Sequence, residues 1–202
     1  MIDKLLGQKK LLLSHLVGGG MLNDRVALLD TQTGEMQTVY TDPNKLTSIV
    51  SAAPGGETAI VARKESTTNP RVKLQRLDLM NGSLTPLIEQ EDANTLIASV
   101  LVWSPARNKV AFTVVNSFEK GSQGVNKIVV LNIDTGRVST VVEVANPALL
   151  ARPLAWLSGN VLLVNNLGGE ALDQVLYSIH IDGTGIQRIL SLSGGRFLTV
   201  LP

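Results

Sequence analysis

Apolar and polar positions alternate along short segments of this chain, which is the pattern of half-buried β-strands. The alternation is clearest in KIVVLNID at 127–134 and VLYSIHID at 175–182. The nearest approach to a helical period is EQEDANTLIA at 89–98, which is too short to form a stable helix by itself. The pattern therefore predicts an all-β chain.

Four pairs of such strands each flank a turn that is rich in Asp, Asn, Thr and Gly. The four segments are VALLDTQTGEMQTVY, LQRLDLMNGSLTPLI, IVVLNIDTGRVSTVV and LYSIHIDGTGIQRIL. Tight turns need a positive φ, which Gly adopts without steric cost, so each segment is predicted to be a β-hairpin. The turn glycines are Gly34, Gly82, Gly136 and, in the fourth hairpin, Gly183 or Gly185.

A second landmark, a strand that ends just before a turn, recurs between the hairpins. Its clearest copy is WSPARNKVAFTVVN at 103–116, and the corresponding anchor positions are Ala52, Trp103, Trp156 and Val200. These anchors lie 44–53 residues apart, a period typical of propellers and solenoids. Each repeat supplies four antiparallel strands, which make one blade of a β-propeller. A β-sandwich also has many short strands, but it has no reason to repeat this anchor.

The anchor has a structural interpretation. The first strand of a blade borders its neighbours, so we expect Trp103 and Trp156 to fill the wedge between adjacent blades. Pro105 would end its strand, where the loss of an N–H donor is tolerated.

The segments VWSPARNKVAFTVVN and KIVVLNIDTGRVSTVV resemble the repeat of TolB-type propellers, which carries a Trp-Ser-Pro-Asp-Gly element followed by a hairpin. The resemblance covers about residues 10 to 202 and is clearest in the third repeat. Ala106 and Arg107 stand where that repeat has Asp-Gly. The resemblance implies a non-enzymatic platform for proteins or peptides, or a gating propeller attached to a hydrolase, and it carries over no catalytic residue.

We therefore expect a β-propeller of about four four-stranded antiparallel blades, forming one domain over residues 1–202. The predicted blades are 10–42, 46–90, 97–145 and 150–192, with a further strand at 195–202. The first repeat is expected to lack its anchor strand, while the last strand has no blade after it. That last strand could complete blade 1 within the chain, pair with a second copy as in an eight-bladed dimer, or belong to a partial propeller completed by another protein. The closure residues are Phe197, Leu198 and Val200.

Composition and charge narrow the function classes. The chain has 18 Lys and Arg against 17 Asp and Glu, without a basic cluster, which argues against a nucleic-acid surface. There is no cysteine, which excludes disulfides and thiolate sites. No apolar run is long enough for a membrane helix, and the N-terminal segment makes no convincing signal peptide. The compartment stays open, although the resemblance allows an extracytoplasmic one.

No catalytic residue, metal site or cofactor is predicted. The chain has two histidines, His15 and His180, and it lacks both a Gly-x-Ser-x-Gly motif and a phosphate loop. Binding is expected at the channel mouth, where loops between blades and between second and third strands converge. The candidate binding residues are Asn116, Phe118 and Lys120, in and beside the long loop at 116–126, together with Arg63, Lys64 and Arg152.

The sequence thus predicts a non-catalytic protein-binding or scaffolding propeller that contacts a protein partner or self-associates through its incomplete blade. Two alternatives stay open: a metal-dependent, lactonase-like hydrolase, and the propeller module of a larger hydrolase or receptor.

Overall fold

The computed structural model describes residues 2–6, 10–17, 22–64, 72–89, 95–97, 101–116, 125–144, 151–167 and 173–193. The chain divides into two compact units, Met1–Ala93 and Asn94–Pro202. The regular elements of the described residues are antiparallel β-strands, as the alternating pattern predicts. Among the described residues, no helix is long and apolar enough to cross a membrane.

Unit 1 contains two four-stranded meanders, which we name blades 1 and 2. Blade 1 consists of β1 (Ile2–Leu6), β2 (Lys10–Val17), β3 (Leu22–Asp30) and β4 (Met36–Thr41). Blade 2 consists of β5 (Thr47–Ala52), β6 (Thr58–Lys64), β7 (Val72–Asp78) and β8 (Leu84–Glu89). Consecutive strands of each blade pair side by side, and one residue pair, Asn23 with Thr47, also joins β3 to β5.

Unit 2 contains the corresponding blades 3 and 4. Blade 3 consists of β9 (Thr95–Ile97), β10 (Val102–Trp103), β11 (Lys109–Asn116), β12 (Asn126–Asn132) and β13 (Val138–Val144). Blade 4 consists of β14 (Arg152–Ser158), β15 (Val161–Asn165), β16 (Asp173–His180) and β17 (Gln187–Ser193). Both β9 and β10 pair with β11, so the first strand of blade 3 is built in two pieces.

The expectation that blade 1 lacks its first strand is wrong. The strand β1 pairs antiparallel with β2, from Ile2 opposite Leu13 to Leu6 opposite Lys10. It therefore occupies the edge of β2 that the sequence leaves open for the predicted strand at 195–202. Those residues, with Phe197, Leu198 and Val200, lie outside the described part of the chain, so their closing role stays a prediction, as do the blade boundaries and the single domain.

Each unit has its own apolar core, formed where the facing sides of its two blades meet. In unit 1 the core joins β2 and β3 of blade 1 to β5, β6 and β7 of blade 2. Its buried members are Leu12, Val26, Leu28, Ala52, Ala59, Val61, Leu77 and Leu79. The core of unit 2 lies between blades 3 and 4. Its buried members are Ala111, Ile128, Val130, Val141, Val144, Ala151, Leu162, Val164 and Ile179.

Trp156 packs against the unit 2 core, as expected of an anchor residue. Its Nε1–H donates a hydrogen bond to the carbonyl oxygen of Val102 at 2.9 Å, which ties the first strand of blade 4 to that of blade 3. A second tie runs from Thr113 Oγ1 to the carbonyl oxygen of Ala151 at 2.6 Å. The Trp156 ring thus buries apolar area between blades 3 and 4, and its indole N–H has a hydrogen-bond partner there.

The hairpin turns repeat in atomic detail. Asp30 Oδ1 accepts the backbone N–H groups of the two residues after Thr31, and both Asp78 and Asn132 cap their turns in the same way. The amide of the turn glycine donates to the carbonyl of the capping residue at 2.9 Å in all three, as with Gly34 and Asp30. Short polar side chains that bond to nearby amides are the reason for the Asp/Asn signal in these turns.

A β-bulge recurs in the last strand of each blade. One residue there opposes no partner, namely Val39 in blade 1, Leu87 in blade 2, Val141 in blade 3 and Ile189 in blade 4. Within each unit, the turn glycine of the second blade lies against the bulge of the first. A Cβ on Gly82 would lie 2.2 Å from the carbonyl oxygen of Val39, and one on Gly183 would lie 2.7 Å from that of Val141. We call this the turn–bulge contact.

Candidate binding surfaces

The long loop predicted to bind a partner connects β11 to β12, whose last pair is Val115 with Asn126. Asn116 is the final residue of β11 and pairs with Thr95 of β9. Phe118 and Lys120 lie outside the described residues, so the structure gives no account of their side chains and their binding role stays a prediction.

Arg63 is held by Asp42, a carboxylate that has no exposed side-chain surface. The Arg63 Nε and Nη2 atoms donate to Asp42 Oδ2 and Oδ1, each at 3.2 Å. Asp42 Oδ2 also accepts the Leu46 N–H and the Thr47 hydroxyl, both at 2.9 Å, and Oδ1 accepts the Asn44 N–H at 3.2 Å. This bidentate pair fastens the connection between blades 1 and 2 to the end of β6, which gives Arg63 a structural role.

The electrostatics of this pair follow from its contacts. Burial by itself would raise the pKa of Asp42, but the hydrogen bonds from Arg63, Thr47 and Leu46 outweigh it and lower the pKa below its ordinary value. The Arg63 pKa is raised, chiefly by its hydrogen bond to Asp42. The pKa of Tyr40 is raised by burial and by the nearby Asp42 charge. Asp42 therefore stays ionised and paired at neutral pH.

Lys64 and Arg152 begin or end strands in different units. Lys64 is half-buried at the end of β6, and its backbone N–H donates to the Leu46 carbonyl at 3.0 Å. Arg152 is exposed at the start of β14, and its backbone N–H donates to Asn165 Oδ1 at 3.0 Å. Of the predicted binding residues, Arg63 and Lys64 thus adjoin each other in unit 1, while Asn116 and Arg152 belong to unit 2.

His180 stands where the other hairpins have their capping Asp or Asn. It is exposed at the end of β16, and a Cβ on Gly185 would lie 2.5 Å from its ring. Capping of this shorter turn passes to Asp182, whose Oδ1 accepts both the N–H and the hydroxyl of Thr184, and these bonds lower the Asp182 pKa. In the described part of the chain, no group of three His, Asp or Glu side chains could hold a metal ion.

An apolar surface on the outer strand of blade 4 did not emerge from the sequence. Ile189 and Leu190 are 52% and 44% exposed, whereas Val141, which occupies the bulge position of Ile189 in blade 3, is 5% exposed. The four hairpins look alike in sequence; the register shows that Ile189 and Val141 are equivalent, and their exposed fractions show that only Ile189 is uncovered. Among the described strands, β17 pairs with β16 alone.

A second partly exposed apolar face lies on blade 1. Leu11 and Leu29 are opposite each other across β2 and β3, on the side away from the unit 1 core, and Leu13 lies next to them. All three are half-buried. The corresponding pairs, Ala59 with Leu77 in blade 2 and Leu162 with Ile179 in blade 4, are each 0% exposed.

Comparison with known proteins gives the fold. No protein-family model and no curated protein matches the chain. Solved structures do match, among them an oligogalacturonate lyase from Vibrio parahaemolyticus, which is 12% identical with a TM-score of 0.69 over 92% of this chain and 50% of the lyase. TolB from Acinetobacter baumannii is 18% identical, with a TM-score of 0.59 over 87% of this chain and 39% of TolB. An acylaminoacyl peptidase from Pyrococcus horikoshii is 11% identical, with a TM-score of 0.63 over 90% of this chain and 30% of the peptidase.

The predicted TolB-like β-propeller fold is confirmed by these similarities. The chain spans half or less of the length of each of the three structures. Since proteins named as a lyase, a peptidase and TolB share the fold, the fold alone does not decide the chemistry.

Proposed function

We infer that this chain is a non-catalytic, protein-binding or scaffolding propeller module whose binding surface includes the outer strand of blade 4. The observation that carries this is the exposure of two neighbouring apolar residues, Ile189 and Leu190, the first of them at a position where the preceding blade buries Val141. Exposed apolar side chains on an unpaired strand edge are typical of sites that bind another polypeptide.

The predicted channel-mouth residues stay in the proposal as separate candidate contacts, apart from the outer strand of blade 4. Lys64 ends a strand of unit 1 and Arg152 begins a strand of unit 2. Arg63 keeps its guanidinium on Asp42, so it would contact a partner through the 28% of its side chain that remains exposed. Phe118 and Lys120 stay in the proposal as loop contacts. A Phe118→Ala variant that binds a captured partner as tightly as the unaltered chain would remove the loop from the surface.

The proposal is tested by capture from an extract of the source organism on immobilised protein. An Ile189→Asp, Leu190→Asp double variant is expected to lose the captured protein. The control is Ile186→Asp, because Ile186 is 51% exposed but Val138, its counterpart in blade 3, is exposed as well at 41%. Stoichiometric metal together with lactone hydrolysis by the purified chain would contradict a non-catalytic role.

A further inference from the structure

We propose that the partner of the blade 4 surface is a second copy of this chain, which docks its blade 1 there head to tail. The proposal rests on the proposed function, in that it names the polypeptide the outer strand of blade 4 binds. It commits to one geometry, in which the turn of blade 1 in one copy meets the bulge of blade 4 in the other.

The first half of this joint is the turn–bulge contact, which the chain already makes twice. Gly82 lies on the Val39 bulge in unit 1, and Gly183 lies on the Val141 bulge in unit 2. Ile189 is the bulge residue of blade 4, and it is exposed. Gly34 is the turn glycine of blade 1, with φ of 76° against 73° for Gly82, yet a Cβ on Gly34 would meet nothing within 4 Å. One copy therefore carries an uncovered bulge and an uncovered turn of matching shape.

The second part of the proposed contact is the face of the blade 1 sheet that carries the residue pair just before the turn. In blades 2 and 4, the residue pair just before the capped turn is completely buried against the preceding blade. In blade 1 the equivalent pair, Leu11 and Leu29, is apolar but only half-buried, as is Leu13. Aliphatic residues at these places fit a blade-to-blade joint better than a solvated face, because alternating strands of soluble sheets usually expose polar residues.

We favour a second copy as the occupant because one chain carries both the uncovered bulge of blade 4 and the uncovered turn and apolar face of blade 1. A partner of unrelated fold would need only one of these two surfaces, whereas a head-to-tail contact between copies uses both. Such a contact is heterologous and can close into a ring of copies. Two copies with four blades each make eight, which is within the usual range of about four to eight blades.

Thr31 indicates that the contact between copies is weaker than the contacts between neighbouring blades of one unit. Leu79 follows the capping Asp of blade 2 and is buried in the unit 1 core, and Ile133 follows the capping Asn of blade 3 and is 7% exposed. Blade 1 has the exposed polar Thr31 at this place. We therefore expect a reversible association that depends on concentration.

The geometry is tested by cross-linking, which the absence of native cysteine makes clean. Two single-cysteine variants, Thr33→Cys beside the blade 1 turn glycine and Ile189→Cys on the bulge, are mixed and treated with a short bis-maleimide. A cross-linked dimer containing one copy of each is expected. The matched control replaces Thr33→Cys with Thr135→Cys, since Thr135 holds the same turn position in blade 3 and accepts the same kind of backbone hydrogen bond. This control mixture should stay uncross-linked.

Placing both cysteines in one chain distinguishes a contact between two copies from a contact within one copy. A Thr33→Cys, Ile189→Cys double variant that cross-links within the monomer, at dilutions where no dimer forms, would overturn the proposal in favour of a contact inside the chain. Ile189→Asp should abolish dimer formation, and Ile186→Asp should leave it unchanged. A monomer at every concentration, combined with capture of a different protein that Ile189→Asp abolishes, would overturn the second copy while leaving the protein-binding function intact. A chain that stays monomeric and captures no protein would contradict both the second-copy proposal and the protein-binding function.

Discussion

The turn–bulge contact makes a quantitative prediction for two alanine substitutions within the same unit. Gly34→Ala and Gly82→Ala both place a Cβ at a φ near 75°, which costs an L-residue roughly 1–2 kcal/mol. In Gly34→Ala the new carbon meets no atom within 4 Å, so the free energy of unfolding should fall by that amount alone. In Gly82→Ala it would lie 2.2 Å from the Val39 carbonyl oxygen, which must move. Such overpacking adds about 1–3 kcal/mol.

The assay is urea unfolding followed by far-ultraviolet circular dichroism, which reports on the strands of unit 1, whereas both tryptophans belong to unit 2. Both variants are made in the Ile189→Asp background, which removes the proposed contact between copies. We expect Gly82→Ala to be less stable than Gly34→Ala by about 1–3 kcal/mol. Equal losses would refute the turn–bulge contact, since the two sites would then differ in nothing but backbone conformation.

Three further substitutions test other contacts. Asp42→Asn leaves Arg63 without its carboxylate and should cost about 3 kcal/mol at neutral pH, the lower end of the range for a broken buried pair because Arg63 is 28% exposed. Since the folded-state pKa of Asp42 is lowered, its contribution is complete above the unfolded pKa of about 3.9 and is lost as the pH falls through the lower folded value. Unfolding curves of the two proteins should therefore converge in acid, and a constant gap down to the lowest measurable pH would contradict the ion pair. Arg107 has φ of 63°, so Arg107→Gly should raise the urea midpoint, with a gain of about 0.5–1 kcal/mol, and a lower midpoint would refute the strain. Trp156→Phe removes the donor to Val102 and should cost about 1–2 kcal/mol in thermal unfolding; an unchanged transition would show that the 2.9 Å bond contributes nothing.

Much of the fold could be predicted from the sequence because its signals repeat. The Asp or Asn cap and the turn glycine act locally, through hydrogen bonds between residues two to four apart, so the hairpins are legible one by one. The size of Trp156 and its spacing from the other anchor positions mark it as an anchor. Each strand pattern is weak by itself, but its repetition along the chain predicts blades.

What escaped prediction depends on contacts between distant residues or on the backbone alone. The strand Ile2–Leu6 carries neither Trp nor Pro, and it is defined by its backbone pairing with β2, which side chains signal only weakly. Asp42 and Arg63 are 21 residues apart, and nothing local marks them as partners. The turn glycine was expected for its positive φ, whereas the closeness of Gly82 to Val39 exists only once two blades pack.

The candidate surface was predicted least well, for a related reason. Ile189 has the same hydrophobic character as Val141, so sequence alone places both in a core, and only the register and burial separate them. The predicted loop residues rest on loop length and polarity, and Arg63 rests on the count of strands, which places it on the face of the binding loops. A strand count does not show whether an arginine is free to bind or is already paired.

The most direct test of the account is the mass of the unaltered chain in solution, measured by sedimentation across a range of concentrations. The account predicts a reversible rise from the 21.6 kDa of one chain towards twice that mass, with Ile189→Asp holding the lower value throughout. A mass that stays at one chain at every concentration, or a dimer that Ile189→Asp leaves intact, would contradict the claim that blade 4 of one copy receives blade 1 of another.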